Sequence, residues 1–319
     1  MRVMNDQSTL IEDERDEFSS ALVQRELKRE QQRRMTRRAF IKRMTRAGIG
    51  VLGAGSAWHW ATKIEPRWIE IKRVPLFISG LHPAFDGWTL AQISDIHVSE
   101  WMTQPRLQHI IGKVNALRPD LIAITGDFVS QRQEGQQTIL AQTLSTLEAR
   151  YGVFAVLGNH DHWANVKFVR NAIRKSGVQE LRNSFHSIRR DGGVLQLCGL
   201  DDAWAQAADV PELLRKLPAK GAAILLAHEP DFADEYAKAN RFDVQLAGHS
   251  HGGQVQIPLV GPIHLPLYGQ KYNDGRYRLA STPAAREMTL YVNRGVGMVK
   301  PFVRFHCRPE ITLFTLRAT

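Results

Sequence analysis

Five short apolar runs, each cut off by residues able to bind a metal, constrain this sequence more than any other feature. They occupy residues 90–93, 121–125, 153–157, 222–226 and 242–246. All are too short for a stable helix. Two of them, 153–157 and 222–226, are apolar throughout, the pattern of a strand covered on both faces. Beyond each run the chain turns polar: Asp95 and His97; Gly126-Asp127; Gly158-Asn159-His160-Asp161-His162-Trp163; His228; and Gly248-His249-Ser250-His251. The i, i+2 spacing of Asp95 and His97 puts both side chains on one side of an extended backbone.

Between the runs the periodicity changes. Leu107, Ile110, Ile111, Val114 and Leu117 recur at helical spacing, and 136–148 and 164–175 read as further helices. Residues 66–89 read as a strand, a loop and a second strand leading into the Asp95 segment. Two or three strands are expected within 179–200, and closing strands at 302–304 and 311–316. Strands alternating with helices predict an α/β domain. In such sheets, polar groups at the C-terminal strand ends gather in one cleft.

A chain of 319 residues can bury a large core, and 43% hydrophobic against 23% charged residues is a globular composition rather than a disordered one. The net charge of +10 is unevenly placed. Residues 24–46 hold ten basic and two acidic side chains, and the chain beyond residue 46 keeps only +6. A mildly basic body suits an anionic substrate or surface. It lacks the basic stripe with interleaved aromatics that a nucleic-acid path needs, so no specific nucleic-acid partner is expected. Cys198 and Cys307, the only cysteines, make no zinc pattern and read as core residues.

The N-terminal region divides in two. Residues 1–34 are charged and poor in apolar side chains, and read as a disordered extension or a frayed, solvated helix. Thr36-Arg37-Arg38-Ala39-Phe40-Ile41-Lys42 resembles a twin-arginine export signal, Ser/Thr-Arg-Arg-x-Phe-Leu-Lys, with Ile41 in place of Leu. Sixteen uncharged residues rich in Gly and Ala occupy 47–62, fewer than the roughly 20 apolar residues of a membrane span. Residues 35–62 are therefore expected to be a twin-arginine signal or membrane anchor, with a weak cleavage site at Gly55-Ser56-Ala57. Met35 directly precedes Thr36, so 1–34 reads as an unusual leading region or an upstream mis-start. The expectation is export across, or anchoring in, a bacterial cytoplasmic membrane, with the twin-arginine translocation machinery as partner and a cell-envelope association. Residues 63–319 form the remaining domain.

The candidate metal ligands are Asp95, His97, Asp127, Asn159, His228, His249 and His251. Imidazoles, carboxylates and one amide oxygen, without thiolate, suit Mn, Fe, Zn, Ni or Co better than Mg or Ca. Seven ligands are too many for one tetrahedral ion but suit two that share a carboxylate.

The series Asp95-x-His97, Gly126-Asp127, Gly158-Asn159-His160-Asp161, His228 and Gly248-His249-x-His251 resembles the calcineurin-like metallophosphoesterase family, over residues 85–317. The resemblance implies a four-layer αββα sandwich of two mixed sheets and two divalent metal ions. One ion would take Asp95, His97, Asp127 and His251; the other would take Asp127, Asn159, His228 and His249. A metal-bridging hydroxide would attack phosphorus in line, beside a catalytic His160. Asp161 is expected to orient the loop. Ser130 and Gln131 stand where the protein phosphatases of this superfamily carry Asp and Arg, which argues against that branch. The twin-arginine start and residues 248–262, 269–279 and 293–316 are closer to the exported YkuE/YaeI-like phosphodiesterases. Phosphodiesters, or lipid and nucleotide phosphates, are the substrates this implies. A UDP-2,3-diacylglucosamine pyrophosphate hydrolase of lipid A synthesis is the alternative, and a non-catalytic metal-binding module a lesser one. Arg294 and Arg308 are weak candidates for phosphate contact, and the Gly- and Pro-rich stretch after His251 reads as either a lid or a connection.

Overall fold

A computed structural model describes residues 53–280 and 286–319, together with 25, 28–29, 31–33, 35–36 and 38–46 of the N-terminal region. The chain forms two units, Met1–His59 and Trp60–Thr319. In the first, the described residues are helical and exposed; Arg37 of the arginine pair lies outside them. No described helix is long and apolar enough to cross a membrane.

Two six-stranded mixed sheets build the second unit. The first contains β1 (Glu70–Ile78), β2 (Thr89–Ile93), β3 (Leu121–Thr125), β4 (Val153–Val156), β5 (Gln179–Glu180) and β14 (Glu310–Ala318), in the order β1-β14-β2-β3-β4-β5. The second contains β6 (Ser184–Arg190), β7 (Gly193–Gly199), β8 (Ala222–Leu226), β9 (Val244–Ala247), β12 (Gly275–Leu279) and β13 (Met288–Val292), in the order β12-β13-β9-β8-β7-β6. A small hairpin, β10 (Gln256–Ile257) and β11 (Gly261–Pro262), stands apart from both.

The apolar runs are explained by burial on two sides. In β3, Leu121 and Ala123 enter the core between the sheets, while Ile122 and Ile124 enter a second core shared with Leu107, Ile110, Leu140 and Val169. Those residues belong to α1 (Gln104–Ala116), α2 (Gln136–Leu144) and α3 (Asn159–Ser176). In β8, Ala222, Ile224 and Leu226 face the inter-sheet core, and Ala223 and Leu225 face a third core with Leu213 and Tyr236. The latter come from α4 (Val210–Lys216) and α5 (Ala233–Lys238). The result is the expected αββα sandwich. Cys198 and Cys307 are buried free thiols.

β14 lies between β1 and β2, parallel to β1 and antiparallel to β2. Two local expectations are corrected. The run 158–163 is not a loop, because α3 already begins at Asn159; its amphipathic part starts at Asn165, where the helix breaks and the Asn165 side chain accepts from the Phe168 N–H. Residues 302–304 form no strand.

The reason for the last is Arg304, which is fully buried. Its guanidinium donates to the carbonyls of Arg294 (2.7 Å), Gly297 (2.7 Å) and Cys307 (3.0 Å). This clamps the loop 294–297, whose Val296 and Gly297 N–H groups donate to the carbonyls of Ser94 and Asp95. Arg304→Met keeps the stem but strands several buried carbonyls, each costing about 1–3 kcal/mol. A loss of about 3 kcal/mol or more is expected, read as a lower denaturation midpoint at unchanged slope. A loss below about 1 kcal/mol would show that the clamp is dispensable.

Candidate metal centre

The polar residues stand where the strands stop. Asp95 and His97 come after β2, Asp127 after β3, Asn159 after β4, His228 after β8, and His249 and His251 after β9. Five of them, Asp95, His97, Asp127, His249 and His251, have φ between 50° and 70°. Such left-handed backbone costs about 1–2 kcal/mol per residue, and Asp and His tolerate it better than most. The surroundings hold it: Asp95 N–H donates to Gly126 O (3.0 Å), His97 N–H to Asp127 O (2.9 Å), and Gly248 N–H to His228 O (3.0 Å). Close approach explains Gly158, where a Cβ would collide with Asp127 Oδ1 and the His228 ring.

Two overlapping groups result. Asp95, His97, Asp127 and His251 bring ligand atoms within 4.8 Å of one another, and so do Asp127, His228 and His249. Asp127 belongs to both. Its Oδ2 lies 3.4 Å from His97 Nε2 and 3.2 Å from His228 Nε2, and His251 Nε2 lies 3.3 Å from Asp95 Oδ1. His97 Nε2 and His251 Nε2 stand 3.0 Å apart. Asn159 Oδ1 and His228 Nε2 are buried without a hydrogen-bond partner. Orphaned buried acceptors and converging imidazole nitrogens are what a cation would satisfy.

Second contacts choose which imidazole nitrogen faces inward. His228 Nδ1 is 2.6 Å from Thr125 O, which leaves Nε2 for the centre; His249 Nε2 is 2.8 Å from Leu267 O, which leaves Nδ1. Burial drives His97 and His249 down to about 3 and His251 well below its usual range, so all three are neutral donors at pH 7. His228 differs. Burial alone would lower it, but Asp127 and Asp95 outweigh burial and raise it well above its ordinary value. Burial chiefly, with the Asp127 charge, raises Asp95 to about 6. Metal loading at pH 7 should therefore expel about one proton, from His228, because ligation needs the neutral ring. Below pH 6 Asp95 adds to the release. Calorimetry in buffers of different ionisation enthalpy measures the number, and no release at pH 7 would contradict the assignment.

The profile of the calcineurin-like phosphoesterase family matches residues 89–253, about half the chain. YkuE of Bacillus subtilis, named an uncharacterised metallophosphoesterase, is 36% identical over 293 residues, covering 90% of this chain and 99% of that protein. The chain belongs to the calcineurin-like phosphoesterase family. The phosphodiesterase YaeI of Escherichia coli is 28% identical, over 88% of this chain and 99% of its own. LpxG of Chlamydia muridarum, named a UDP-2,3-diacylglucosamine pyrophosphatase, is 27% identical, over 80% and 92%.

In this phosphoesterase His160 lies beside the metal-binding groups without joining either. Its ring stands edge-on to His97 at 4.8 Å, its Nδ1 donates to Ser130 O (2.9 Å), and its backbone N–H donates to Asp127 Oδ1 (3.0 Å). Asp161 does not orient a loop of its own but, from the first turn of α3, ties that turn to the segment after β3: Oδ1 accepts from Phe128 N–H and Oδ2 from Gly158 N–H. Arg294 is spent on Glu310 (2.7 Å) and Glu70 (2.5 Å), and Arg308 on the Trp68 carbonyl, so neither points to substrate. A cavity of about 640 Å³ opens onto the centre, lined by Asp127, Asn159, His160, His249 and His251. The stretch after His251 forms its far wall.

Three contributors were missed in the sequence. Ser130 holds both His97, through Oγ at 3.2 Å, and His160. Trp204 lines the cavity, 5.7 Å from the His249 ring. Asp201 pairs with His162 at 2.8 Å. The Asp201-Asp202 strand end was the available signal for the last two.

Proposed function

We propose that this phosphoesterase is a phosphodiesterase working with two divalent cations. Asp95, His97, Asp127 and His251 would hold one, and Asp127, Asn159, His228 and His249 the other. The observation that carries the reading is the pair of overlapping donor groups meeting at Asp127, with His160 adjacent but outside. Mn, Fe, Zn, Ni or Co suits this N/O set. Bound there, such cations polarise phosphoryl oxygens and acidify water. The chain's own groups do the rest. His160, fixed through Nδ1 on Ser130, presents Nε2 to give a proton to the leaving oxygen. The first turn of α3 begins at Asn159 and turns its positive end toward an arriving phosphate. Asp161 keeps the loop after β3 in register with the start of α3.

The test is hydrolysis of bis-p-nitrophenyl phosphate against p-nitrophenyl phosphate by the metal-loaded chain. Diester turnover exceeding monoester turnover, and lost on chelation, is expected. Faster monoester turnover would sink the diesterase reading. The apolar cavity wall supports a second reading, a lipid-linked nucleotide pyrophosphate of the kind named for LpxG, for which neither simple ester would turn over. We further propose export by the twin-arginine route, supported by the pattern at 36–42. A reporter fused after Ala61 that works only in the cytoplasm would remove that proposal.

A further inference from the structure

The segment 251–270 contains no Asp, Glu, Lys or Arg, in a chain that is 23% charged. It carries the β10–β11 hairpin, and its apolar side chains point outward. Leu259 is fully exposed, Val260 is 78% exposed, and Ile257, Ile263 and Leu267 are exposed as well. The base of the hairpin is fixed. Gln254 donates to Val299 O (3.1 Å) and accepts from Val299 N–H (2.8 Å), and Gln256 N–H donates to Phe305 O (2.8 Å). The tip is a tight turn closed by Val260 N–H on Ile257 O, with Leu259 at φ 68°. A bulky residue in left-handed backbone is an outlier, and here no burial offsets it. The turn holds a leucine away from the protein.

We infer that this hairpin docks onto a lipid surface and brings the mouth of the cavity against it, so that the centre works on phosphoesters of amphiphiles presented there. The second half rests on the phosphodiesterase reading proposed for the centre. Several observations select lipid as the occupant. The tip is convex and protruding, a shape that fluid acyl chains can surround, whereas a second folded copy needs a matching hollow. The segment has no charge to desolvate. The chain beyond residue 46 carries +6, complementary to anionic headgroups. The patch is also continuous with the centre: Ile263 and Leu267 belong both to the exposed surface and to the cavity wall, where Leu265, Val255 and Val303 extend it inward. An acyl or prenyl chain could leave the surface along that wall while its phosphate reaches His160.

The test uses the full chain and a local probe, because the basic residues 24–46 would carry the chain to anionic vesicles by themselves. An environment-sensitive fluorophore is placed on Leu259→Cys and, as control, on Asp191→Cys. Asp191 lies in the exposed turn before β7, at the end of that strand away from Asp201 and the centre. Vesicles of phosphatidylcholine with phosphatidylglycerol should blue-shift the label at 259 and expose it to a lipid-borne quencher. The label at 191 should stay unchanged, and adding Val260→Asp should abolish the shift at 259. Bound protein with an unshifted label at 259 would overturn the docking, as would a shift that tracks protein concentration without lipid, the sign of a second copy. Turnover of the soluble diester is read separately. Turnover without a label response defeats docking alone, and a label response without turnover defeats the diesterase reading alone.

Discussion

Asp127→Asn is expected to strip metal from the centre and to lower diester turnover by about three orders of magnitude, or about 4 kcal/mol of transition-state stabilisation. Among the described residues, no other side chain serves both donor groups. Its Oδ2 faces His97 and His228, and its Oδ1 accepts the N–H of His160. Although burial would raise it, His228, His160 and His97 hold this carboxyl well below the usual range, so it is a full anion at any working pH. The amide is nearly the same size, and packing should survive. What is lost is the charge that two cations would share. An N–H₂ in place of either oxygen would also point at a nitrogen or a backbone donor. Metal analysis should show at least half the bound metal gone, with the circular dichroism spectrum unchanged. The variant should also release less proton on any residual loading, because Asp127 is the main group raising His228. Full metal content with turnover within tenfold of the parent would end the shared-carboxylate reading.

Much of this centre was legible because the ligands are tied to strand ends. A strand that is buried on both faces is mostly apolar, so its end is visible, and the first carboxylate or imidazole beyond it lies at the cleft. Asp95, Asp127 and His228 were found that way. The long-range parts left no such trace. β14 enters between β1 and β2, and nothing in 310–318 distinguishes that slot from an edge. Arg304 looks like any surface arginine until its backbone carbonyl partners are known. Arg294 looked equally free and is instead paired with Glu310 and Glu70, one at the start of β14 and the other at the start of β1. The Gly- and Pro-rich stretch after His251 was readable as a loop, but not as a cavity wall ending in an exposed hairpin. That distinction rests on which side chains face out, which shows no period in a stretch whose strands are only two residues long.

His160→Ala is expected to behave differently from any ligand variant: metal content stays, and turnover falls by about 10²–10⁴. The ring is outside both donor groups, and removing it frees only Ser130 O at the half-open edge of the cavity. Two explanations of such a loss are separable. A general acid protonates the leaving oxygen, so its removal should hurt a poor leaving group more than a good one. A p-nitrophenolate departs without much help, whereas an alkoxide does not. The ratio of parent to variant turnover should therefore be larger for an alkyl phosphodiester than for the bis-nitrophenyl ester. A ring that only stabilises charge on the phosphoryl oxygens would lower both by the same factor. Equal losses would remove the proton-donor role and leave the electrostatic one. His160→Asn, which restores a donor without an acid, should then recover part of the nitrophenyl rate and little of the alkyl rate if the acid role holds. Its recovering both alike would point to charge stabilisation alone, with the leaving oxygen taking its proton from water admitted by the cavity.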